Sequence, residues 1–157
     1  MPTLSAQIGF AQDWVRNGVV GVGTGLQGGD PGTGSVGWAR ARTRIFSGLD
    51  LRPDESSADG MGFYGFVEIE RRLTLGGEVR YQRWLTSTIV MHAAVLGTVY
   101  PESMLGLGTG ARFGFPIGKA LTLFLEPAIA AFPVGSDLPE KSVIFWGSLN
   151  GGVGVAL

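Results

Sequence analysis

The chain carries a single histidine, His92, and no cysteine, so its options for side-chain chemistry are few. Thiol catalysis, disulfides and zinc–thiolate sites all go with the missing cysteines. Ser87 and Glu102 lie in the same stretch as His92. A histidine can activate a serine hydroxyl while an acid orients its ring, which is the chemistry of acyl transfer and hydrolysis. A lone histidine in a connecting segment is far more often inert, and the expectation is no catalytic residue. Asp54, Glu55 and Asp59 gather carboxylates, but their spacing lacks a full oxygen-ligand pattern for calcium, so they read as a solvated loop and no metal site is expected. Gly21 to Gly25, GVGTG, lacks the strand-to-helix context and the Lys-Ser/Thr of a phosphate-binding loop. It reads as a glycine-lined strand, and no cofactor is expected.

The larger set of reactive groups is ionic and has a period of two. Arg40, Arg42 and Arg44 alternate with small or apolar residues, as do Glu68 and Glu70, then Glu78 and Arg80, with Arg112 and Glu126 further on. A spacing of two puts such residues on one face of an extended strand. The elements that must position them read as strands throughout. Met61 to Leu85 gives two alternating segments hinged on Arg71-Arg72, with carboxylates and guanidiniums on one face and Met61, Phe63, Val67, Ile69, Leu73, Leu75, Val79 and Tyr81 on the other.

The same alternation, bounded by turn residues, predicts eight strands: 3–12, 18–27, 35–51, 61–71, 73–84, 103–115, 120–132 and 142–157. Leu85 to Glu102 is apolar without clean alternation and reads as a long connection. On this count Gly28 to Gly34, Arg71-Arg72 and Pro116 to Lys119 are short turns at the end holding the termini. Asp13 to Asn17, Arg52 to Gly60, Leu85 to Glu102 and Pro133 to Lys141 are longer loops at the other end.

Composition narrows the class. Only 16% of residues are charged, glycine reaches 27 residues, and lysine appears only at 119 and 141. Mean hydropathy is positive at +0.25, a poor inventory for a water-facing surface. A net charge of −1 without a concentrated cationic face argues against nucleic acid as partner. No run of about 18 apolar residues exists, so a spanning helix is not expected. The N-terminus, MPTLSAQIGF, lacks a signal peptide's cationic and apolar regions, so an exported protein would be represented by its mature form.

These strands predict an all-β fold, a single-domain, eight-stranded antiparallel up-and-down barrel. Each face could lie inside. With charge inside, the barrel spans a membrane, and Arg40, Arg42, Arg44, Glu68, Glu70, Glu78, Arg80, Arg112 and Glu126 fill the lumen as five cations against four anions. With charge outside, it is a soluble, lipocalin-like carrier of an apolar ligand, whose surface would carry Trp38, Tyr64, Phe66, Phe124, Phe132 and Trp146 and would tend to aggregate. The first arrangement is expected. Trp14, Trp84, Tyr100, Phe115 and Phe145 then stand near strand ends as interfacial girdles.

GGEVRYQRWL (76–85), GFPIGKALTLFLEP (114–127) and the apolar-terminated last strand together give a pattern that resembles small outer-membrane β-barrel proteins of Gram-negative bacteria, the OmpA/OmpX-like group. The resemblance runs from about Ser35 onward and departs from the pattern at Leu157, where such barrels usually end in an aromatic. It implies a transmembrane barrel in the bacterial outer membrane, monomeric and surrounded by lipid. Its role would be structural or surface-interacting, with loops 52–60, 85–102 and 133–141 available to an extracellular partner. A narrow pore for small solutes or ions is the alternative. Some barrels of this size resemble lipid A-modifying hydrolases, which would make His92, Ser87 and Glu102 the residues to examine.

Overall fold

The computed structural model describes residues 14–30, 38–69, 73–136 and 143–157. Eight strands follow one another: β1 (Val15–Asp30), β2 (Trp38–Arg52), β3 (Asp59–Ile69), β4 (Leu73–Trp84), β5 (Ile89–Tyr100), β6 (Met104–Ile117), β7 (Leu121–Gly135) and β8 (Val143–Ala156). Each pairs antiparallel with the next, and β1 pairs with β8 to close the barrel. Closure gives every wall strand two partners and leaves no sheet edge.

The number of strands is as expected, but one of the expected assignments changes. The segment 3–12 lies outside the described residues. The stretch 85–102, expected as a long connection, is mostly β5. Only a four-residue turn precedes this strand. There the Thr86 hydroxyl accepts from the backbone N–H groups of Thr88 and Ile89 at 3.2 and 3.0 Å, and Leu85 N–H donates to the Ile89 carbonyl at 2.9 Å.

This change moves the connections before β5 to the other end and leaves those after it where they are expected. Strand β1 begins and β8 ends at one end, called the terminal end, where Asn17 pairs with Ala156. That end also holds connections 53–58, 85–88 and 118–120, while at the far end β1 gives way to β2, β3 to β4, β5 to β6 and β7 to β8. Strands β3 and β4 therefore succeed one another at the far end, and loop 53–58 is at the end opposite the β7–β8 succession. In the 118–120 turn, Gly118 has a φ of +80°, a conformation strained for any residue with a Cβ.

Strand pleating sends alternate residues inward and outward. Outward stand Val20, Val22, Leu26, Ile45, Phe63, Val79, Val95, Leu107, Leu123, Ile129 and Leu149, with Leu26, Leu107 and Ile129 more than 60% exposed. Inward lie the charged residues of the strand interiors and a selected set of apolar ones. The soluble reading puts Leu, Val, Ile and Phe inside and charge outside. The apolar groups that do line the lumen are mostly aromatic and form one cluster with two layers of neighbouring rings, Phe46 with Tyr64 and Phe124 beside Val19 toward the terminal end, and Trp146 with Phe66 and Phe132 toward the far end. Phe132 is wholly buried, its ring centroid 4.3 Å from that of Trp146.

Candidate functional site: an ionic chain through the lumen

Between and alongside the aromatic layers runs a chain of alternating charge, built because strands β2, β3, β4, β6 and β7 each place an ionic residue at an inward position. At the far end Arg42 pairs with Glu68 at 2.9 Å, and its guanidinium also donates to Gln27 of β1. The other Glu68 oxygen accepts from Arg44 at 2.7 and 2.9 Å. Arg44 reaches Glu78 at 3.7 Å. Glu78 accepts from Arg80 at 2.6 Å, Arg80 donates to Glu126 at 2.9 Å, and Glu126 accepts from Arg112 at 2.8 Å. Arg112 donates to Asp50 at 2.7 Å and to the Tyr64 hydroxyl at 3.0 Å. Asp50 closes the chain by accepting from Gln82 at 2.7 Å and from Tyr64.

The order is therefore Arg42, Glu68, Arg44, Glu78, Arg80, Glu126, Arg112, Asp50, with cation and anion alternating at every step. Four guanidiniums meet four carboxylates, which meets the condition for burying charge: each ion paired and further hydrogen-bonded. The aromatic layers hold the guanidinium planes. Arg42 lies over Trp146 at 4.5 Å, Arg44 over Phe66 at 4.1 Å, Arg80 over Tyr64 at 4.2 Å and Arg112 over Phe124 at 4.6 Å. Arginine suits this role because its flat, always-charged fork can stack and pair at once.

Of the nine residues expected in the lumen, Arg42, Arg44, Glu68, Glu78, Arg80, Arg112 and Glu126 are brought together. Arg40 keeps the inward parity and stands exposed at the far rim, two residues into β2. Glu70 lies outside the described residues. Asp50, Gln82 and Tyr64 belong to the chain and were not expected. Asp50 shares the parity of Arg40, Arg42 and Arg44, and this was the available signal. The balance of five cations to four anions becomes four to four among the described residues.

His92, Ser87 and Glu102 do not converge. His92 is buried on the inward face of β5, Ser87 is exposed in the 85–88 turn, and Glu102 lies past the other end of the strand. Of the acids expected to form a solvated loop, Asp54 and Asp59 are engaged locally. Asp54 accepts from Ser56 N–H and hydroxyl at 2.8 and 2.5 Å and from Ser57 N–H at 2.8 Å, while Asp59 accepts from Tyr81 at 2.5 Å. The Ser56 hydroxyl bond holds the Asp54 carboxyl below its ordinary pKa.

A cavity of about 200 Å³ opens at the terminal end, with Asp50 and Arg112 in its lining and Lys119, Trp84 and Ser87 around it. Trp84, expected in a girdle, lines this mouth beneath the Arg52 guanidinium at 4.9 Å. Trp14, Tyr100, Phe115 and Phe145 are exposed.

No protein-family model matches the chain, and the search of curated proteins finds no match either. The site defines a closed eight-stranded barrel with an Arg/Glu salt-bridge network inside it.

Proposed function

We propose that the chain is an integral outer-membrane barrel with a structural or surface-interacting role, its interior filled and not an open pore. The observation that carries this reading is the distribution of charge across the wall. Every charged side chain described at an outward position of a strand, namely Arg16, Asp59 and Arg83, lies at the terminal end, and the rest of the described outer wall is apolar or carries small hydroxyls. Two of those hydroxyls are hydrogen-bonded to a neighbouring strand, Thr24 to the Arg42 carbonyl at 3.2 Å and Thr109 to the His92 carbonyl at 2.8 Å. An outer surface that offers hydrocarbon and satisfies its own polar groups suits lipid, where an unpaired polar group costs several kcal/mol.

Length agrees with this reading. The strands run from 11 to 16 residues, and a tilted transmembrane strand needs about 9–11. Trp14 and Tyr81 at the terminal end, and Tyr100 at the far end, are exposed amphipathic rings of the kind that favours the headgroup region. The loops at either end are the candidate contacts for a partner.

Extraction and gel migration test the reading. The purified protein is expected to need detergent and to migrate differently on a denaturing gel before and after boiling. A monomer that stays soluble without detergent refutes it and favours the soluble carrier.

A further inference from the structure

The cavity of about 200 Å³ at the terminal end of the lumen has a mixed lining. Val19 and Phe124 of the terminal-end layer border it, with Val90 and Trp84 as further apolar surface. Its rim is tied to the wall by backbone hydrogen bonds. Gly114 N–H donates to the Thr88 carbonyl at 2.7 Å, and Ala156 N–H to the Ala120 carbonyl at 2.9 Å, and all four of these residues border the cavity. A cavity whose rim is already held costs little ordering when a ligand enters.

Three charged residues line it: Asp50, Arg112 and Lys119. Asp50 and Arg112 compensate each other at 2.7 Å. Both Asp50 oxygens are engaged, Oδ1 by Tyr64 and Gln82 and Oδ2 by Arg112. Lys119 is exposed in the 118–120 turn and has no ion pair among the described residues. The lining therefore carries one uncompensated charge, and it is positive.

We propose that this cavity is a binding site for a small aromatic monocarboxylate, its carboxylate held by Lys119 and its ring packed against Trp84 and Phe124. A charge-assisted hydrogen bond to the lysine supplies the polar anchor, and offset or edge-to-face packing on the two aromatic residues suits a ring. Size agrees, because an apolar cavity of about 150 Å³ takes up benzene, and this one is larger by enough for a carboxylate. Asn17, Ser87 and Thr122 add neutral donors to the lining. A cationic ligand is disfavoured, since Asp50 is already engaged and Lys119 would repel it. The inference concerns the mouth of the lumen alone and holds whether the outer wall meets lipid or water.

Titration of the folded protein with benzoate tests it, followed by the Trp84 indole N–H resonance, which is assigned by its loss in Trp84→Phe. A saturable shift of that resonance is expected. Benzyl alcohol, a similar ring without the charge, is expected to bind about tenfold more weakly or worse, the loss that goes with one hydrogen bond to a charged group. Lys119→Gln is expected to weaken benzoate to a similar degree and to leave benzyl alcohol unchanged. No saturable shift with benzoate overturns the proposal, and so does equal binding of the two probes to the unsubstituted protein; neither result depends on whether a variant folds. Undiminished benzoate binding to Lys119→Gln also overturns it, by removing the lysine as the anchor.

Discussion

Glu126 is the residue on which the chain turns. It is fully buried, and its carboxylate faces Arg80 at 2.9 Å on one side and Arg112 at 2.8 Å on the other. Removing its charge would leave two buried guanidiniums facing each other, so Glu126→Gln is expected to lower stability by about 3–5 kcal/mol, the cost of breaking a buried pair from one side. The exposed pair Arg83–Asp59, at 3.9 Å, supplies the comparison. Arg83→Ala is expected to cost less than about 1 kcal/mol. Urea unfolding of both variants decides the matter, and equal losses would mean that the buried chain contributes nothing special. Gly110 acts on the same interior by lacking a side chain. A Cβ there would meet the His92 ring at 2.7 Å and the Pro127 carbonyl at 2.7 Å, so Gly110→Ala is expected to cost about 1–3 kcal/mol by overpacking. The surface Asp54 gives a pH signature. Its pKa is depressed in the folded loop, so its bonds to Ser56 and Ser57 are fully present above the unfolded value near 3.9 and are lost as pH falls through the lower folded value. The amide resonances of Ser56 and Ser57 are expected to shift together over that acid window, and shifts centred at or above the ordinary aspartate pKa would contradict the turn.

At the scale of the element, β5 is the most instructive strand. Its outward residues include Met91, Val95 and Val99, and Val95 is half exposed on the wall. If that wall meets lipid, Val95→Arg is expected to cost about 2–4 kcal/mol near the bilayer midplane. On a water-facing surface the same change should fall within about 0.5 kcal/mol. Unfolding in lipid vesicles measures the difference, and a neutral result would count against the membrane reading. The same strand shows why the sequence was only partly legible. β3 and β4 announce themselves because their inward faces carry Glu68, Glu78 and Arg80 against an apolar outer face. In β5 the inward positions are Val90, His92, Ala94, Leu96 and Thr98, of which Ala94 and Leu96 join the cluster with Phe66, Met104 and Trp146, so three of the five inward residues are apolar and the contrast at period two is weak. With 85–102 taken as a connection, the strands before it are expected in the opposite direction along the barrel, and those after it are not. Most of the ionic chain was legible because parity within a strand is local information. Asp50 and Gln82 were harder, because their roles depend on Arg112 and on each other, and those contacts come from barrel closure and register.

For the whole molecule, the question is whether anything passes through. Two aromatic obstructions stand in series, the far-end layer around Phe132 and Trp146 and the terminal-end layer of Val19, Phe46, Tyr64 and Phe124, and the paired ionic chain runs between and alongside them as a third obstruction. An eight-stranded barrel has an interior that side chains just fill, and here they fill it twice over with rings. In planar bilayers the protein is therefore expected to give no stable, discrete conductance. Trp146→Ala alone should stay silent, since the terminal-end layer and the ionic chain remain. Trp146→Ala combined with Phe46→Ala thins both layers, and measurable current is expected from that variant. Each truncation costs about 3–5 kcal/mol, so heat-modifiable migration must first show that the double variant is folded. The ordering of the three recordings tests more than silence does. Discrete steps from the unsubstituted protein would make the narrow pore its function, and current from Trp146→Ala alone would mean that the far-end layer is the sole barrier and that the ionic chain lets ions past.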